Sequence, residues 1–311
     1  MPLVVDGTSV SPPARRPWKN CWGIPTRIFW KVSRRCRRCW SPTGRLVRMT
    51  RSTISMLAAC LLLAGCHRVV GTGRSQVNVL SESQEAALGR ETFEAATADA
   101  DIIRTGPDAE MVQRIGRRLV RAAGTLYPSN PADRYDWTFV LIDDDIVNAW
   151  AAPGGKVAVY TGLLDVTKDE DGLAVVLGHE VAHVLARHSG EQVSQALLMN
   201  GALTIGSSAL GDMDPASREL VMRAMGAGSH LGVALPFSRL HEAEADEIGL
   251  FLTAEACYDP RAAIGVWERM SALSQSRPPE FLSTHPDPDN RIVELSELMP
   301  GAMAIYRRCD R

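Results

Sequence analysis

The stretch GHEVAH, residues 178–183, decides how the rest of the chain is read. Its neighbours Leu173, Val176, Leu177, Val184 and Leu185 make the surrounding segment apolar enough to be buried. Asp169, Glu170 and Asp171 suit a helix N-terminus, Arg187 and His188 suit a C-terminus, and Gly190 stands where a capping glycine would. The spacing predicts one helix from about Asp169 to His188. On it His179 and His183 lie one turn apart and share a face. Two such imidazoles can hold one zinc ion, with Glu180 beside them as general base for a water that the zinc activates. The competing reading is a buried helix with two structural histidines. That reading buries two imidazoles and a carboxylate, which is costly without a metal or hydrogen-bond partners.

Zinc needs a third protein ligand. His188 follows His183 by five residues, about 140° around a continuous helix, and so is expected to point away. Ser189 occupies the position of a third histidine in the longer metzincin spacing. A carboxylate elsewhere is the remaining source, and LHEAEADEIG, residues 240–249, offers four. A helix is expected from Ser238 to Ala256. On it Glu242 and Asp246 share a face that Gly249 and Thr253 continue. Small residues there would let this helix approach the histidine helix closely. Glu242 is then placed to ligate, and Asp246 to orient a ligand histidine by accepting its hydrogen bond. The preference of acids for a helix's first turn explains Glu242 alone equally well. Glu244 and Glu247 read as helix-surface acids, and His241 as no ligand.

The flanks set the context. Residues 1–65 carry 12 basic residues and one acid, Asp6, which leaves 22 basic and 35 acidic residues from Cys66 onward. An acidic body argues against nucleic acid as a partner. After Met49 and Arg51, the apolar run SMLAACLLLAGC (residues 55–66) ends in Leu-Ala-Gly-Cys, the pattern of a bacterial lipoprotein signal. The expected organisation is a gene-model extension without order over 1–48, a signal peptide over 49–65, a tether over 66–80 lipidated at Cys66, and one domain over 81–311. His67 after the lipid cysteine points to the periplasmic face of the outer membrane rather than to the inner membrane. Cys257 and Cys309 remain as a disulfide pair or as two buried thiols.

Within the domain, Ser81–Gln84 has the form of a capping box, with a helix expected to about Ile103. A second helix follows Asp108, with Met111, Val112, Ile115, Leu119 and Val120 on one face. Tyr135–Ile142 and Lys156–Tyr160 read as strands, the latter after a turn at Pro153-Gly154. Gln192–Gly211 carries no charge; its polar residues favour a packed helix over a membrane span. Further helices are expected over Pro260–Leu273 and Asp287–Leu298.

Other motifs accompany GHEVAH in order: Asn148-Ala-Trp-Ala-Ala-Pro-Gly-Gly155, Val184-Leu-Ala-Arg-His188, Leu235-Pro-Phe-Ser-Arg239, Glu242-Ala-Glu-Ala-Asp246, Tyr258-Asp-Pro260, and Thr284-His-Pro286 with Arg291-Ile292. From Ser81 to Leu298 the set resembles the gluzincin metallopeptidases related to HtpX and the CaaX prenyl proteases, particularly their bacterial lipoprotein (LoiP- and BepA-like) branch. The resemblance implies a mainly helical α+β, zincin-like domain with a small antiparallel sheet. It implies one zinc ion on His179, His183 and Glu242, Glu180 as base, and Asp246 orienting a ligand. Asn148, Ala149, Trp150, Ala151 and Ala152 would form an edge strand that pairs with an extended polypeptide. His285 and Arg291 match positions near the zinc, where they would stabilise an oxyanion or, for His285, cap the metal.

Two departures stand out. Cys257 replaces an expected glycine. Neither the tetratricopeptide repeats of the BepA kind nor the clear spans of HtpX are evident. The implied activity is a membrane-anchored zinc endopeptidase acting on unfolded or misassembled envelope proteins. The alternative is a largely latent, zinc-containing assembly factor for outer-membrane proteins. A structural lipoprotein is the third class.

Overall fold

The structure, a computed structural model, describes residues 66–199, 236–274, 279–286 and 290–309, all within the unit Ala58–Arg311. The expected extension and signal, residues 1–65, and residues 200–211 of the uncharged stretch lie outside the described residues. In chain order the elements are β1 (Cys66–Arg68), β2 (Ser75–Val77), α1 (Glu82–Thr97), β3 (Ile102–Ile103), α2 (Pro107–Leu126), a 3-10 turn (Pro131–Arg134), β4 (Thr138–Ile142), β5 (Ala149–Ala152), β6 (Lys156–Tyr160), α3 (Thr161–Thr167), α4 (Glu170–Leu185), α5 (His188–Met199), α6 (Arg239–Glu255), α7 (Ala262–Ser274), α8 (Phe281–Thr284) and α9 (Arg291–Tyr306).

The expected class, mainly helical α+β, is what folds. The larger sheet, ordered β3-β4-β6-β5, is mixed: β4 and β6 pair in parallel and the other neighbours antiparallel. A tight turn makes the β5–β6 hairpin, with Gly154 at φ 80° and Gly155 at φ 90°, where side chains are disfavoured. This order puts β5 at a sheet edge. Val112, Ile115 and Leu119 of α2 are fully buried in the main core, with Leu173, Val176 and Leu177 of α4.

Several boundaries differ from the sequence reading. The capping box forms: Ser81 accepts from the Gln84 N–H, and the Gln84 side chain accepts from the Ser81 N–H. But α1 stops at Thr97, because Ile102 and Ile103 instead pair with Ile142 and Leu141 at the sheet edge. Residues expected as a tether form the β1–β2 hairpin, with Val69 and Leu80 buried and the Gln76 amide donating to the Ala186 carbonyl at 3.0 Å. Helix α9 runs on through Pro300 to Tyr306. Cys257 and Cys309 are joined as a disulfide, Cα–Cα 5.7 Å, linking the chain after α6 to the end of α9. Among the described residues no helix is long and apolar enough to cross a membrane.

Candidate metal centre

Helix α4 begins at the Asp169 cap, whose carboxylate accepts from the Gly172 N–H at 2.8 Å, and every residue from Gly172 to Leu185 is buried. It crosses α6 where two glycines meet. A Cβ on Gly249 would lie 2.8 Å from the His179 backbone nitrogen, and one on Gly178 would lie 2.9 Å from the Gly249 carbonyl oxygen. This contact without side chains brings the acidic face of α6 against the histidines of α4.

The side chains converge there. His179, His183, Glu242 and His285, all buried, each offer one ligand atom, and these atoms lie within 4.8 Å of one another. Ligands at zinc–nitrogen distances of about 2.05 Å in a tetrahedron are separated by roughly 3.3 Å. Here His179 Nε2 lies 3.1 Å from His183 Nε2, 3.3 Å from Glu242 Oε2 and 3.3 Å from His285 Nδ1. His183 Nε2 is 3.4 Å from Glu242 Oε1, which is 3.2 Å from His285 Nδ1. Three nitrogens and a carboxylate at tetrahedral spacing fit zinc by number, chemistry and distance. His285 stands at the fourth corner, and its other nitrogen, Nε2, is 3.4 Å from Glu180 Oε1.

A layer of support surrounds the four. The His179 Nδ1–H donates to Asp246 Oδ1 at 2.9 Å. Arg291, 1% exposed, donates through Nε to Asp246 and through Nη2 to Glu242, both at 2.6 Å, with its guanidinium 3.8 Å above the Trp267 ring. Arg291 holds the carboxylate pair through Nε and Nη2, and its buried Nη1 has no hydrogen-bond partner among the described residues. Phe237 stacks on His183 at 4.1 Å, and Phe281 stacks on His285 at 4.4 Å.

The electrostatics follow from burial and these partners. Burial depresses His179, but the Asp246 and Glu242 carboxylates outweigh it and raise its pKa to about 9. Burial holds His183 well below the ordinary imidazole value. Burial pushes Glu242 up, yet His285, His179 and His183 hold it well below the usual carboxylate range. Glu180 is raised by burial, partly offset by His285 and His179 and by a hydrogen bond from the Ala151 backbone. A raised carboxyl beside the cluster suits a group that takes and returns a proton.

The structure thus brings together His179, Glu180, His183, Glu242, Asp246, His285 and Arg291. Ala149–Ala152 form the edge strand β5, which touches the site through Ala151; Trp150 turns the other way, onto Phe93 at 5.6 Å. Among the described residues, neither polar atom of the buried Asn148 side chain has a hydrogen-bond partner. Cys66 begins β1, in register with Val77.

Two expectations fail. His188 does not point away: α4 ends at Leu185, Arg187 takes φ 57°, and the turned chain brings His188 Nδ1 to 2.9 Å from His183 Nδ1. Glu244 is not a surface acid: it is 5% exposed and bonded to Thr72, Arg74 and His188. Phe237, inside the LPFSR motif, packs on His183 at a position that no helical or strand period marks in the sequence.

A mainly helical domain with an HExxH helix crossed by a glutamate-bearing helix defines a zincin-like metallopeptidase fold. The chain belongs to peptidase family M48, whose sequence model matches residues 107–299. Zinc is that family's metal and the ion these donors fit. The mitochondrial metalloendopeptidase OMA1 of Schizosaccharomyces pombe is 38% identical over 206 residues, 66% of this chain and 57% of that protein. The mitochondrial metalloendopeptidase OMA1 of Saccharomyces cerevisiae is 31% identical over 258 residues, 76% of this chain and 70% of that protein. The β-barrel assembly-enhancing protease of Escherichia coli is 31% identical over 229 residues, 71% of this chain and 45% of that protein. The expected place at the periplasmic face of an outer membrane is corrected by these relatives: the match at 38% identity is to a mitochondrial protein, and the bacterial one is more distant.

Proposed function

We propose that the protein is a zinc-dependent endopeptidase that cleaves extended segments of unfolded or misassembled membrane-associated proteins. The observation that carries the reading is the tetrahedral spacing of His179, His183 and Glu242, with Glu180 between that cluster and the edge strand β5. Bound zinc supplies Lewis acidity toward the scissile carbonyl and the attacking water. Glu180 takes the proton of that water and passes it to the leaving amine. β5, at the sheet edge among the described residues, offers that edge to the substrate backbone. Asp246 and Arg291 keep His179 and Glu242 in place. Replacing Glu180 by Gln is expected to leave zinc stoichiometric and to reduce peptide cleavage at least ~100-fold. Unchanged cleavage, or a purified wild type without stoichiometric zinc, sinks the reading.

A second reading concerns state rather than chemistry. His285 Nδ1 at the fourth corner, with the cluster buried, favours a latent form in which His285 caps the metal. Cleavage by a His285→Ala variant at or above the wild-type rate supports capping; loss of cleavage with zinc retained refutes it. Membrane attachment by a lipid on Cys66 is a separate proposal, supported by residues 55–66. Unchanged fractionation of Cys66→Ser rules it out.

A further inference from the structure

The two histidines of α4 are supported differently. Asp246 accepts directly from His179, whereas the partner of His183 is another imidazole. His183 Nε2 faces the cluster, 3.1 Å from His179 Nε2 and 3.4 Å from Glu242 Oε1. With that nitrogen given to a metal, the ring's proton sits on Nδ1. At 2.9 Å, His188 Nδ1 is then the acceptor. His188 must therefore carry its own proton on Nε2, which points at Glu244 Oε2, 3.3 Å away. One set of proton positions satisfies the whole chain.

The far end is fixed as firmly. Arg74 Nε donates to Glu244 Oε2 at 2.8 Å, and the Thr72 hydroxyl donates to Glu244 Oε1 at 2.7 Å. The other arm of Arg74 forks onto Glu191 at 2.9 and 2.6 Å, and Glu191 also pairs with His241 at 3.1 Å. His241 in turn stacks on His188, centroids 4.5 Å apart and planes 19° from parallel. His188 is fully buried, and Glu191, His241 and Glu244 are nearly so. Burying this many polar groups is tolerable because nearly all of them find partners in one another; His241 Nδ1 is the exception among these described residues. The hairpin turn between β1 and β2 supplies Thr72 and Arg74, so a segment remote in sequence closes the network.

We propose that His188 and Glu244, locked by Arg74 of the β1–β2 hairpin, are positioning residues that orient the zinc ligand His183 and tighten the hold on the metal. The inference rests on the zinc reading of the cluster. Partners of metal-bound histidines are typically worth about 10- to 100-fold in metal affinity.

The test is zinc affinity of the full chain, measured by competition with a chromophoric chelator, together with the visible spectrum of the cobalt-substituted protein. His188→Ala and Glu244→Gln are each expected to weaken zinc binding ~10- to 100-fold and to shift the cobalt bands. His188→Asn keeps an acceptor for His183 and a donor toward Glu244, and is expected to restore most of the affinity. Leu119→Ala, in the core of α2, is the control: it lowers thermal stability without moving the zinc affinity or the cobalt spectrum. If His188→Ala does not fold, Glu244→Gln and His188→Asn decide the question. Wild-type zinc affinity in both His188→Ala and Glu244→Gln overturns the proposal, as does an equal loss in Leu119→Ala. A wild type that binds no zinc overturns the metal reading itself, a different outcome.

Discussion

Gly249→Ala tests the geometry on which the site depends, at a position that is no ligand. The added Cβ would stand 2.8 Å from the His179 backbone nitrogen and 2.9 Å from the Gly178 carbonyl carbon. Ordinary contact begins at about 3.5 Å, so α4 and α6 must part by roughly 0.7 Å. Both near atoms are backbone, and no side chain can swing aside to absorb the change. Overpacking of this kind costs about 1–3 kcal/mol, offset by the roughly 1 kcal/mol that alanine gains over glycine in a helix. The fold should therefore survive with a modestly lowered midpoint. The site should suffer more, because metal–ligand distances tolerate only about 0.2 Å and the crossing sets the distance from Glu242 to both histidines. The expected result is a ~10- to 100-fold weaker zinc affinity by chelator competition, with cleavage falling in step. Gly124→Ala is the matched control: nothing lies within 4 Å of its added Cβ, so it should gain up to about 1 kcal/mol and leave zinc binding alone. Wild-type zinc affinity in Gly249→Ala, whatever its melting temperature, would refute the claim that this backbone contact sets the ligand spacing.

Three further outcomes follow from buried charge and covalent linkage. Burial pushes the Glu191 carboxyl up, but hydrogen bonds from Arg74 and His241 prevail and hold it at about 2, against an ordinary 4.5. Its contribution, roughly 3 kcal/mol, is present above about pH 4.5 and drains away as pH falls toward 2. Glu191→Gln should flatten the pH dependence of stability in that window, and an unchanged acid unfolding curve speaks against the assignment. Arg291→Met strips the guanidinium from Glu242 and Asp246, and should cost about 3–5 kcal/mol, more in chelator than in zinc because the ion offsets part of the exposed charge; equal losses in both conditions count against a metal at Glu242. Cys257 and Cys309 are 52 residues apart, so replacing both by serine should cost about 4 kcal/mol in chemical denaturation; stability that is insensitive to the change would show that the link constrains little.

How much of this was legible in the sequence depends on whether a residue's role is fixed by its own helix. His179, His183, Glu242 and Asp246 were readable because helical period alone puts each pair on one face, and Gly249 and Thr253 mark where that face meets a neighbour. The strand Lys156–Tyr160 showed itself by alternation and its preceding turn. His285 follows a short helix, α8, and Arg291 opens α9, and no period announced them; only the resemblance to known peptidases did. The misreading of His188 has a specific cause. Angles counted around a helix hold only while the helix continues, and Arg187 leaves it at φ 57°, a conformation that costs a non-glycine residue about 1–2 kcal/mol. Nothing local supplies that energy. It comes from Glu85 of α1, which takes two hydrogen bonds from the Arg187 guanidinium at 2.7 and 3.1 Å, and from the Leu80 carbonyl at 2.8 Å. Those partners lie more than a hundred residues earlier, in a stretch whose own pattern gave no sign of what it would bind. The same logic explains Glu244. On its helix it belongs to the side away from Glu242, and that side becomes interior only because the β1–β2 hairpin folds over it. Residues placed to hold a metal on α4 and α6 are written in the helical period; residues that position them are written in tertiary contacts, and the hairpin that supplies Arg74 is the segment whose sequence reads as a tether.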